Sequence, residues 1–67
     1  MTRYIHIMND DIGTYTNEFT DEFTAVSWLD ENWNYIDYLC TVSLNDGYEA
    51  SNWQDKLEAH RREQDGK

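Results

Sequence analysis

Three periodic signals predict an α+β fold. Residues 3–8, 14–19 and 35–44 alternate with the two-residue period of a strand. Between the second and third runs, Phe23, Val26, Leu29 and Trp33 recur at three- and four-residue spacing, the stripe of an amphipathic helix. Turn-forming residues separate these runs at 9–13 and 45–47. The predicted order is β-β-α-β-(β)-α. A small antiparallel sheet of three to four strands packs against one amphipathic helix, followed by a C-terminal helix. Sixty-seven residues predict a single α+β domain spanning 1–67, its last few residues frayed.

Each element has its own local reason. In the first run Ile5 and Ile7 face one side, and Tyr4, His6 and Met8 the other. Asn9, Asp10, Asp11, Ile12 and Gly13 form a turn, with Gly13 free to take a positive φ. Tyr15, Asn17 and Phe19 share a face of the returning strand. An antiparallel hairpin with Asp10 and Asp11 at its tip follows. Thr20 is placed to cap a helix over 21–33, with Asp21 and Glu22 near its positive end. Ala25 and Trp28 flank the apolar stripe. In the third run Ile36, Tyr38, Cys40, Val42 and Leu44 fall on one face. Asn45, Asp46 and Gly47 predict a tight turn into a short edge strand at 48–50. Ser51 and Gln54 match a capping box for a second helix over 52–63.

Composition narrows the class. The chain carries ten aromatic residues and no proline, which favours folding over acidic disorder. One cysteine, Cys40, allows no internal disulfide and suits a reducing compartment. The first residues lack a signal peptide's apolar run, and no stretch reaches membrane-spanning length. The expected location is cytoplasmic. A domain this small without a staple is marginal, so a partner or a homodimer is expected to support it.

No catalytic, cofactor or metal site is expected. EF-hand loops started at Asp10, Asp30 or Asp37 put Tyr15, Tyr35 or Val42 at the required glycine position. Cys40, His6 and His60 lie far apart, without zinc-ligand spacing. Acid pairs such as Asp30 and Glu31 read as solvated surface, because so small a domain has little material for a cleft. Cys40 reads as a packed thiol on the core face. The three glycines form no phosphate loop. Phe19, Phe23, Trp33 and Tyr38 are the expected aromatic core. Trp28, Tyr35, Tyr48 and Tyr4 exceed what one thin core requires and are candidate interface anchors.

Charge is the dominant signal. From residue 4 to residue 55 there is no lysine or arginine, but there are eleven carboxylates, and the whole chain carries a formal charge of −9. A surface so built is not expected to neutralise itself with internal ion pairs, and a field of one sign implies a partner of the other. Nucleic acid and anionic membrane are excluded as direct ligands, since both require basic residues. A basic protein surface is the natural counterpart. The segment 56–67 is net +1, so the acidic face is expected to lie away from the last helix.

In size, charge and mixed α+β layout the chain resembles the small acidic defence inhibitors encoded by phages, the anti-CRISPR proteins foremost. Antirestriction proteins and uracil-DNA glycosylase inhibitors are similar. This resemblance implies a non-enzymatic inhibitor acting as a DNA mimic. Its carboxylates then occupy the nucleic-acid-binding groove of a host defence effector, such as a CRISPR-Cas complex. The expected contact set is the hairpin tip and the exposed helix face: Asp10, Asp11, Glu18, Asp21, Glu22, Asp30, Glu31 and Asp37, with Trp28 or Tyr35 as anchor. The alternative is a small acidic interaction or regulatory module, as a monomer or a homodimer, whose acidity serves solubility.

Overall fold

The structure is a computed structural model and describes residues 2–65. Strands β1 (Arg3–Asn9) and β2 (Thr14–Phe19) form the first hairpin. Helix α1 (Glu22–Asn32) follows and tightens into a 3-10 turn at Trp33–Tyr35. Strands β3 (Asp37–Leu44) and β4 (Tyr48–Ser51) form a second hairpin, and helix α2 (Gln54–Asp65) closes the order. The α+β class and the β-β-α-β-β-α order match the sequence reading. The frayed end expected from the sequence falls partly on residues 66–67, outside the described residues; α2 itself runs through Asp65.

All pairings are antiparallel, in the order β2-β1-β3-β4. Both helices lie on one side of the sheet. On that side β1 presents His6 and Met8, each fully buried, and Tyr4, whose ring lies 5.3 Å from that of Trp53. Helix α1 buries Ala25, Val26 and Leu29, and α2 adds Trp53 and Leu57. Phe19, Trp28, Trp33, Ile36 and Tyr38 pack around this centre.

Several local expectations are corrected. Asp21, not Thr20, caps α1: its carboxylate accepts from the Thr24 backbone N–H at 2.8 Å. That bond and one from the Thr24 hydroxyl hold the Asp21 carboxyl below the usual carboxylate range. Ser51 ends β4 rather than capping α2, and Asn52 accepts from the Gln54 N–H at 2.8 Å instead. Phe23 is 65% exposed and meets His60 edge-on, with ring centroids 5.6 Å apart. The helix turns Ala25, Val26 and Leu29 inward, with the Ala25 carbonyl 2.9 Å from His6 of the sheet, and leaves Phe23 at the rim beside α2.

The largest correction concerns β3. Pairing with β1 slips between Ile7, opposite Cys40, and Met8, opposite Tyr38, leaving Leu39 as an extra residue. Such a bulge inverts the side-chain alternation beyond it. Tyr38 therefore faces the helices together with Thr41. Cys40, Val42 and Leu44 turn to the opposite side of the sheet, and Cys40 is not a core thiol. Asp46 takes the left-handed φ of 62° at the β3–β4 turn.

Candidate functional site

The β1–β2 turn is built around Asp10. One oxygen of its carboxylate accepts from the N–H groups of Ile12 and Gly13, at 2.7 and 2.8 Å. The Asp10 N–H donates to the Gly13 carbonyl at 2.8 Å. The tip is thereby fixed, with Asp11 exposed and Ile12 96% exposed beside it. The exit of α1 returns the chain to this tip, since Asp37 opens β3 opposite Asn9. A shallow recess of about 460 Å³ results, lined by Asp10, Asp11, Asp37, Tyr15, Asn34 and Tyr35, together with Asn9 and Ile36. Among the described residues, no basic side chain lines it. Tyr35 stands 84% exposed at its edge.

The other predicted contact residues are distributed elsewhere. Glu18 pairs with Arg3, Glu22 with Lys56 at 3.0 Å, and Asp30 with Arg61 at 2.6 Å. The expectation that the acidic surface lacks internal ion pairs is thus overturned. Bases distant in sequence fold back onto it, two of them from α2. The last helix does not stand apart from the acids of α1; it lies against them. Asp21 is spent on its cap. Glu31 sits beside Asp30, Phe23 and His60 in a groove between the helices. Trp28 is not a free anchor: its ring lies 5.8 Å from His6 and 5.7 Å from Phe19. Of the ten residues, the recess unites Asp10, Asp11, Asp37 and Tyr35.

A larger recess, of about 500 Å³, lies at the other end of the sheet, beside Thr2, Ser43 and Tyr48. It holds Glu22 and Glu49, but also Lys56, so its field is partly cancelled. The hairpin end is the more strongly negative of the two.

The centre of the molecule holds a polar chain that no local spacing in the sequence announces. The Trp53 N–H donates to the Tyr38 hydroxyl at 2.9 Å. The hydroxyls of Tyr38 and Thr41 are 2.6 Å apart, and Thr41 lies 2.7 Å from His6 Nδ1. The other His6 nitrogen lies 2.9 Å from the Ala25 carbonyl. A carbonyl only accepts, so Nε2 carries the proton and Nδ1 accepts from Thr41. Thr41 then accepts from Tyr38. The chain ties α2, β3, β1 and α1 together with every hydroxyl donating once. Burial lowers the His6 pKa, only partly offset by the Ala25 carbonyl, and burial raises that of Tyr38. Its members are structural, being enclosed by Phe19, Trp28 and Trp53.

Among the described residues no three His, Cys, Asp or Glu side chains group to hold a metal ion, and no helix is long and apolar enough to cross a membrane. The chain matches no family model, no curated protein and no solved structure.

Proposed function

We propose that this chain is a non-enzymatic binding protein whose acidic hairpin end docks into a basic protein surface of the kind that grips nucleic acid. The observation that carries the reading is the recess at the β1–β2 tip. Asp10, Asp11 and Asp37 converge there around exposed Tyr35, with no compensating base among the described residues. Three acids elsewhere are already matched by Arg3, Lys56 and Arg61. Uncancelled carboxylates speed encounter with a basic groove, and an exposed tyrosine supplies the apolar anchor that hot spots use. Taken with the likeness to phage defence inhibitors, the reading extends to a DNA mimic that occupies the groove of a host defence effector.

The test is capture of partners at low and high salt, followed by DNA competition on the captured protein. Loss of DNA binding by that protein as this chain is added supports the reading. A partner that binds DNA equally well with and without it refutes mimicry.

A further inference from the structure

Among the described residues, no element packs on the side of the sheet away from the helices. The Cα envelope measures 36 × 33 × 15 Å, so the molecule is a slab of one sheet and one helical layer. Its radius of gyration is 12.2 Å, where a compact chain of this length has about 11 Å. Its accessible surface is 4814 Å², where size scaling gives roughly 4,400 Å².

The open face is apolar because of the bulge at Leu39. Ile5 and Ile7 alternate away from buried His6 and Met8, and their β3 partners are Val42 and Cys40. Leu44 extends the row, with Ala50 and Tyr48 opposite Val42 and Leu44 on β4. Had β3 alternated without a bulge from a helix-facing Tyr38, Cys40, Val42 and Leu44 would also face the helices and the row would be lost. Charge is almost absent here. In a chain of formal charge −9, the charges on this face are Arg3 and Glu18, paired with each other at one margin, and Asp37 at the hairpin end.

We propose that two copies of this chain pack these open faces together, giving a sandwich with both helical layers outside. A basic partner would find no row of carboxylates on this face, whereas two net-negative copies can meet only where charge is missing. Charge depletion is also the mark of an interface core. The size is adequate. Strands of seven, six, eight and four residues, spaced about 4.8 Å apart, give a flat footprint of roughly 400 Å². Side-chain relief brings two such faces to about 900–1,200 Å², the lower end of specific interfaces. The acidic tips lie at the end of the sheet and remain exposed in the dimer. The proposal therefore stands whether or not the tip binds a basic groove.

The test is sedimentation equilibrium of the whole chain from micromolar to near-millimolar concentration, with maleimide labelling of Cys40 alongside. The expected mass is twice the 8.0 kDa of one chain, and Cys40 labelling slows as the dimer fills. Thr16 is exposed and opposite Ile7 on the open face. Thr16→Arg leaves the helix-side core untouched and brings two like charges to the contact, so the dimer dissociation constant rises by about tenfold or more. Val42→Lys gives the same result where it folds. A wild type that stays monomeric across the range overturns the proposal. So does a dimer that survives Thr16→Arg with Cys40 still freely labelled, since the contact would then lie on an edge strand or the helices.

Discussion

Replacing Thr41 with valine tests how much of the fold hangs on the buried polar chain. Thr41 is fully buried and stands between Tyr38 and His6, at 2.6 and 2.7 Å. Valine keeps the shape but deletes the hydroxyl, so both neighbours lose their partner at once. Each lost bond removes about 1 kcal/mol net, and each buried group left unmatched costs about 1–3 kcal/mol. Counting overlap between those terms, Thr41→Val costs about 2–4 kcal/mol. A domain of this length has a total stability of roughly 3–10 kcal/mol, so the variant is near the edge of folding. Urea unfolding followed by tryptophan fluorescence reads the effect, because Trp53 is 2% exposed in the native state. With a slope near 1 kcal/mol per molar urea for so small a protein, the midpoint falls by about 2 M or more. Thr20→Val, at an exposed position outside the sheet, serves as the comparison and stays within about 0.5 kcal/mol. A Thr41→Val midpoint matching that of Thr20→Val would refute the directed chain through His6.

The same site sets a pH dependence. Burial depresses the His6 pKa below 6.5, so the unfolded chain takes up that proton first. Stability is full above about pH 6.5 and falls on acidification toward the folded pKa, by up to about 1.4 kcal/mol per pH unit; His6→Phe is less stable but removes that slope. Leu29→Ala costs about 2–5 kcal/mol, because Leu29 is fully buried, whereas Phe23→Ala at 65% exposure costs under about 1 kcal/mol, both by urea titration. Raising the salt concentration increases stability, because the described residues form three ion pairs against a formal charge of −9; thermal melts at low and high salt read it, and a falling midpoint would show that the pairs dominate. Asp46→Val destabilises by about 1–2 kcal/mol at φ 62°, and Asp46→Asn does not, since asparagine tolerates the left-handed region.

The sequence yielded the fold to the extent that local periodicity governs it. The hairpins, α1 and their order follow from alternation, helical spacing and the turn residues Asp10–Gly13 and Asn45–Gly47, which are local properties. What escaped depends on residues distant in the chain. The bulge at Leu39 arises from pairing between β1 and β3, and it reverses the faces of Cys40, Val42 and Leu44 that simple alternation assigns. Phe23 fits the helical stripe by spacing, but the face of α1 turned to the sheet decides which half of that stripe is buried, and Phe23 is left at the rim beside α2. The ion pairs to Lys56 and Arg61 join residues more than thirty positions apart, beyond any local rule. The site was legible in part. Asp10 and Asp11 mark a turn by themselves, whereas Asp37 and Tyr35 reach them only because β1 is central and pairs with both neighbours. Ile12, bare at the tip, carried a signal in its position between Asp11 and Gly13 that the alternation hid.

The central functional claim is that uncancelled charge at the hairpin end, rather than total acidity, makes the contact. Asp11→Asn with Asp37→Asn removes two carboxylates there and leaves the turn held by Asp10 intact. Glu22→Gln with Asp30→Asn removes two that are already paired with Lys56 and Arg61. The decisive measurement is the salt dependence of affinity of both double variants for the captured basic partner. The predicted result is weaker binding and a shallower salt slope for the hairpin-end variant, with the helix variant close to wild type. Equal slopes for the two variants would contradict it.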